Sequence, residues 1–234
     1  MSRLGRRRVM RGVVPNLSGA SVVGLGASGG RGSEISRIAA PRGASLTLVG
    51  RDADRLAAVG VDGTVVPADL RLPEAAESVL MAAEAAHGGV DVVVNATGVV
   101  AFGPVEDLAI DTLEELFLTN TFLPVFVAKA AMGRLREGGL LVNISGVIAE
   151  QNRPGMAAYG ASKAALRSFD DALAREARRK KLKVLDARPG HTETGLATRA
   201  IAGEAPRFPE GLDPAHVATV IVDAIEADAK DLPS

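Results

Sequence analysis

Apolar residues in this chain come in runs of two lengths. The short runs are ASVVGL (20–25), SLTLV (45–49), GTVVP (63–67), VDVVVN (90–95), GLLVNIS (139–145) and KVLDA (183–187). They are rich in β-branched residues and almost continuously apolar, as strands buried on both faces must be. Between them lie helical patterns near 32–41, 52–59, 73–87, 111–136 and 156–180, and a last one spans 213–228. Asp213-Pro214 suits the start of that last helix, with Asp as N-cap and Pro at the first helical position. Strand–helix alternation predicts an α/β fold, a Rossmann-like doubly wound parallel sheet with helices on both faces. No repeat, linker or domain boundary interrupts it. The expectation is a single domain over 19–234, preceded by a basic, disordered tail over 1–18. The longest irregular stretch, 190–212, follows the sixth strand, where a loop covering a ligand would sit.

Composition narrows the picture. The chain has 234 residues, 47% of them hydrophobic, enough to bury a core. With 27 basic against 28 acidic residues, no overall field points to nucleic acid. There are no cysteines, which excludes disulfides and thiolate catalysis and suits a reducing, cytoplasmic setting. No apolar run reaches the length of a membrane span, and no metal site is expected. The first twelve residues carry five arginines and no acid. They read either as a basic arm or as a solvated leader. The cations Arg178, Arg179, Lys180, Lys181 and Lys183 close a helix and complement its dipole.

Two stretches carry candidate chemistry. In VVGLGASGGRGSEISRIAA, Gly26, Gly30 and Gly32 stand at a strand–turn–helix junction. Such a turn lets backbone come close to a ligand and points free N–H groups at a phosphate, although glycines there can equally be tight packing. The second strand ends in Gly50-Arg51-Asp52. An arginine at that place favours a ribose 2′-phosphate, so Arg51 suggests NADP(H) over NAD(H), while Asp52 also suits a helix N-cap. In NISGVIAEQNRPGMAAYGASK, Tyr159 and Lys163 are four apart and share a helix face. The pair reads as a surface contact or as an acid and its electrostatic helper. A free tyrosine titrates near 10, and an ammonium beside it stabilises the phenolate.

The ordered set LGASGGRG (25–32), ADL (68–70), NATG (95–98), Asn120, NIS (143–145), YGASK (159–163) and RPGHTET (188–194) resembles the short-chain dehydrogenase/reductase family over roughly 18–230. The resemblance implies that Gly26, Gly30 and Gly32, with Ser28 and Arg31 between them, cradle the pyrophosphate. It implies that Asp69 and Leu70 flank the adenine and that Asn95 and Gly98 line the groove. Pro189, Gly190, Thr192 and Thr194 would lie along the nicotinamide. Tyr159 would protonate a carbonyl oxygen, with Lys163 also holding the nicotinamide ribose. The Asn120 main-chain carbonyl would hold a relay water, and Pro124, which lacks an N–H, leaves that carbonyl without its helical partner. The expected reaction is hydride transfer between NADP(H) and a small-molecule carbonyl or alcohol.

Three departures stand out. The family's serine commonly lies thirteen residues before the tyrosine, where this chain has Gly146. Ser145 is the nearest substitute, and the glycine could let the backbone turn it inward. Arg31 replaces the usual aliphatic residue, and it could meet phosphate, meet an acidic substrate, block the groove or point to solvent. The seventh strand is missing or shortened, which favours a homodimer over a tetramer. Gly146, Thr97 and Arg31 also motivate a second reading, a non-redox enzyme or a nucleotide-binding regulator. Glu150, Gln151, Asn152 and Arg153 make the approach to Tyr159 polar. Arg153 and Arg31 together would suit a substrate with an acid or phosphate group. His191 reads as a substrate contact or as a solvated loop residue.

Overall fold

Successive residues of five strands enter different cores. Val22, Leu48, Val92, Val94, Leu140, Val142 and Leu185 belong to one cluster, and Val23, Val49, Val93, Leu141 and Val184 to the other. A strand alternates faces at every residue, so runs apolar throughout build a sheet with a core on each side; the edge run 64–67 is the exception, with Val65 and Pro67 exposed. The structure, a computed structural model, describes residues 16–233. The strands are β1 (Ser21–Leu25), β2 (Ser45–Gly50), β3 (Thr64–Pro67), β4 (Val90–Asn95), β5 (Leu135–Ile144) and β6 (Lys183–Ala187). All pair in parallel in the order β3-β2-β1-β4-β5-β6. The order reverses between β1 and β4, and the crevice beyond their carboxyl ends is where such sheets bind ligands.

The helices are α1 (Gly30–Ala39), α2 (Ala53–Ala57), α3 (Ala75–His87), α4 (Ile110–Phe117), α5 (Leu123–Arg134), α6 (Ala157–Ala177) and α7 (Pro214–Glu226). One face carries α1 and α7, the other α3, α5 and α6. Ile221 and Ile225 of α7 are almost wholly buried. Each such side chain contributes roughly 1.5–3 kcal/mol. Asp213 caps α7 by accepting from the His216 N–H at 2.8 Å.

Four expectations change. Leu17, placed in the disordered tail, lies in the core at 1% exposure, so the body begins before residue 19. The arginines at 3–11 lie outside the described residues. The helical pattern 111–136 is interrupted by a π turn at Leu118–Phe122, between α4 and α5. Beyond α5, β5 begins earlier than its apolar run. Val90 pairs with Leu135 and Val92 with Leu140, so residues 136–139 bulge out, and Arg136 there binds the Asp91 carboxylate at 2.9 Å. The continuous run Ile110–Arg134 is, by length and composition, apolar enough to cross a membrane, contrary to the reading of the sequence. Of its most apolar window, 56% is buried within the protein. The shortened seventh strand is a single parallel bridge between Ala187 and Leu232.

Candidate active site

Gly26 begins the site. Its φ of +71° is left-handed, and a Cβ there would stand 3.2 Å from the Ala96 backbone. The turn after β1 therefore lies directly on the turn after β4. A Cβ on Gly32 would stand 2.3 Å from the Gly26 carbonyl oxygen, so only glycine lets α1 start this close. α1 has no side-chain cap, which leaves the N–H groups of its first turn free for a ligand. Gly30 approaches Thr194 in the same way, a Cβ there falling 2.7 Å from the Thr194 carbonyl oxygen.

Tyr159 and Lys163 project from α6 into a cavity of about 480 Å³. Gly29, Gly30 and Arg31 line it from the glycine turn, and Thr97 and Gly98 from the turn after β4. Pro189, Gly190, Thr192 and Thr194 line it from the loop after β6. Apolar residues Val100, Phe102, Ile148 and Met156 form a small third cluster above it, with Tyr159, Leu196 and Phe208 packed on them. Much of the cover comes from 190–212, as its irregular sequence suggested. Within it, His191 faces Glu193 at 3.2 Å and stacks on Phe208 with ring centroids 4.7 Å apart.

Lys163 is buried and donates from Nζ to the Ile144 carbonyl oxygen at 2.9 Å. A Cβ on Gly98 would come within 3.3 Å of that Nζ, so Gly98 makes room for the ammonium. Burial, and then the charge of Arg31, pull Lys163 down to about 8, against Asp186 and Asp170. Burial pushes the Tyr159 phenol up, and the Arg31 guanidinium pulls it back. Tyr159 therefore holds its proton at neutral pH and can act as an acid.

Asn120 is wholly buried in the π turn. Its Oδ1 accepts from the Val99 N–H at 3.0 Å, and its Nδ2 donates to the Val99 carbonyl at 2.9 Å and to Ser162 Oγ at 3.0 Å. Ser162 Oγ in turn donates to the Tyr159 carbonyl oxygen at 2.8 Å. Asn120 thus ties the turn after β4 to the helix that carries Tyr159.

Several predicted residues sit elsewhere than expected. Ser145 lines the cavity, but its hydroxyl is engaged elsewhere. It donates to Asp186 Oδ1 at 2.5 Å, because 145 points to the same side of the sheet as Asn143, whose cross-strand neighbour is Asp186. Gly146, at φ +85° and ψ 164°, has a backbone that only glycine takes readily. Asn95 is 1% exposed, and its amide is committed to Asn143 at 3.1 Å and to the Thr97 hydroxyl at 2.5 Å. It shapes the turn after β4 and does not line the cavity. Leu70 packs into the core, so its side chain is not free to flank an adenine. The Asp69 carboxylate is taken by Arg71 at 2.6 Å.

At the end of β2 the structure separates the two side chains that bear on cofactor choice. Asp52 caps α2 by accepting from the Arg55 N–H at 3.1 Å. Arg51 is exposed and pairs with no described carboxylate. Arg55 reaches the Ser28 carbonyl at 3.4 Å. Sequence reasoning missed Asp170 and Asp186, buried polar residues behind the site. An aspartate inside the apolar run KVLDA was the available signal for Asp186. Asp170, on a polar-rich helix, gave none.

A parallel sheet in this order, with a glycine turn after its first strand and a tyrosine–lysine pair over the switch point, defines a dinucleotide-binding α/β oxidoreductase. The chain belongs to the short-chain dehydrogenase family, whose model matches residues 20–205. It is 32% identical over 240 residues to dehydrogenase/reductase SDR family member 7B of Danio rerio, covering 93% of this chain and 78% of that one. It is 30% identical over 198 residues to gluconate 5-dehydrogenase of Gluconobacter oxydans, covering 81% and 77%. Among solved structures, a dehydrogenase/reductase from Sinorhizobium meliloti superposes with a TM-score of 0.83 at 26% identity, over 94% of this chain and 95% of that one. A short chain dehydrogenase from Burkholderia cenocepacia in complex with NADP superposes with a TM-score of 0.82 at 25% identity, over 93% and 97%.

Proposed function

We propose that this protein is an NADP(H)-dependent oxidoreductase that interconverts a small carbonyl compound and its alcohol. The observation that carries the reading is the shared cavity. The Tyr159 and Lys163 side chains open into the same space as the glycine turn and the 190–194 loop. The residues fit the cofactor, since uncapped α1 N–H groups suit a pyrophosphate and the glycines leave backbone within reach of it. Arg51, with Arg55 beside it, suits a 2′-phosphate, and Asp52 does not compete because it caps α2. The similar Burkholderia cenocepacia enzyme, solved with NADP, supports the choice.

When bound, the nicotinamide supplies or takes up the hydride. Tyr159 gives its proton to the carbonyl oxygen as the carbon is reduced, and takes it back in the oxidative direction. Lys163, charged and fixed on Ile144, stabilises the phenolate that remains. Asn120 holds Tyr159 in place through Ser162.

A second reading, a nucleotide-binding member that performs a non-redox step or a regulatory one, has its own support. No hydroxyl stands at 146, and that of Ser145 is engaged by Asp186. One experiment separates the two. NADPH oxidation is followed at saturating cofactor with a panel of ketones, for the native chain and for Tyr159→Phe. The expected result is turnover that falls at least about a hundredfold in the variant, with NADPH binding intact. Tight NADPH binding without turnover on any ketone would favour the second reading instead.

A further inference from the structure

Arg31 is a guanidinium that the fold leaves unspent. It makes no hydrogen bond or ion pair with any described residue, and its Nε is buried without a partner. The other cations lining the cavity are Lys163, which binds Ile144, Arg199, which donates to the Thr194 carbonyl at 3.3 Å, and Arg153 at the exposed rim. Among the described lining residues the single carboxylate is Glu210. Arg31 is half-buried with its Nε shut off from solvent, and a bidentate anion would give the fork the partner it lacks.

Two anions could fill this role, the cofactor's pyrophosphate and a carboxylate on the substrate. The pyrophosphate already has the free N–H groups of the α1 first turn. The Arg31 side chain lines the same cavity as Tyr159 and Lys163, at the reacting end. Its charge is felt by both the Tyr159 phenol and the Lys163 ammonium. The apolar cluster of Val100, Phe102, Ile148 and Met156 lines the same cavity. The cavity therefore offers an apolar wall, a proton donor and an unspent fork of N–H donors.

We infer that the substrate is an oxo acid, or the matching hydroxy acid, whose carboxylate is held by Arg31 while its carbonyl faces Tyr159. This rests on the proposed carbonyl chemistry of the site and adds the chemical class. Arg31 is the specificity-determining residue, with Arg153 drawing the anion in at the rim. The carboxylate lies a few bonds from the carbonyl, because Arg31 and Tyr159 share one small cavity.

The test is a binding comparison, independent of turnover. Acetoacetate and levulinate are titrated against their methyl esters by calorimetry, on the protein alone and with NADP⁺, which has no hydride to give the ketone. The ester keeps the carbonyl and removes the charge. The native protein is expected to bind at least one acid about tenfold or more tightly than its ester. Arg31→Met should erase that preference while NADPH affinity moves by less than about threefold. Arg31→Lys, which keeps the charge and loses the fork, should retain part of it. Thermal melts check that both variants are folded. Equal binding of acid and ester, no binding of either acid, or an acid preference that survives Arg31→Met would overturn the inference. A folded Arg31→Met that loses NADPH affinity about tenfold would assign the guanidinium to the pyrophosphate and overturn it too. Failure of NADPH binding or of ketone turnover counts against the proposed reaction, and the acid–ester comparison reads Arg31 separately.

Discussion

Arg51 shows how much one side chain's partner decides. It stands exposed at the end of β2, and the aspartate after it is engaged as a helix cap. A free guanidinium there can meet a 2′-phosphate through charge-assisted hydrogen bonds. Arg51→Ala should therefore weaken NADPH binding by about tenfold and leave NADH binding unchanged, as read by calorimetry with both cofactors. Equal losses for the two cofactors would remove Arg51 from the discrimination. Gly146 is the converse case. A Cβ there would meet nothing nearer than the Pro189 carbonyl oxygen at 3.7 Å, so space does not demand glycine. Its φ of +85° does, since a residue with a side chain held there is strained by roughly 1–3 kcal/mol. The backbone at 146 is shaped for glycine, while Ser145 before it is held by its bond to Asp186.

At the scale of elements, the π turn joins two parts of the site. It widens the helix at Leu118–Phe122, next to Pro124, and aims the Asn120 amide at the turn after β4 and at α6. Thr121 adds a second tie, its hydroxyl donating to the Ser162 carbonyl at 2.8 Å. Asn120→Leu would keep the branched outline and leave the half-buried Val99 N–H and C=O without this partner. Each unpaired group costs about 1–3 kcal/mol. The variant should melt several degrees lower and lose turnover with it, because the same amide locates α6. A Tm within about one degree of the native value would show that the π turn holds its shape without Asn120.

For the whole molecule, buried ionisable groups beneath the site set the response to pH. Burial pushes Asp170 up to about 8, with Asp186 adding to the rise and the Asn143 hydrogen bond opposing it. From its ordinary value of 3.8 up to about 8, the folded state holds a proton that the unfolded chain has released. Stability from this group is therefore highest below about pH 4 and falls as pH rises to about 8. Lys163 works in the next window. Its folded value is about 8 and its ordinary value 10.5, so between them the unfolded chain binds the extra proton and stability climbs again. Together they predict a stability minimum near pH 8. Asp170→Asn should flatten the falling limb in urea melts taken between about pH 5 and pH 8. A variant curve parallel to the native one would show that Asp170 does not carry it.

The architecture was legible in the sequence. Six apolar runs are long enough only for strands, and five of them are buried on both faces, so a covered parallel sheet follows. Gly26 and Gly32 mark the tight turn after β1, Gly26 by its left-handed φ and Gly32 because a Cβ would meet the Gly26 carbonyl oxygen at 2.3 Å. Tyr159 and Lys163 share a face by helical spacing alone. Tertiary structure decided what depends on a partner distant in the chain. Ser145 is spent on Asp186, 41 residues away, and Asn95 on Asn143, 48 away. Leu70 belongs to the core, and Arg31 is left without a partner. A local pattern specifies a residue's conformation and its face. Which atoms remain free to do chemistry is settled only when the other strands and helices arrive beside it.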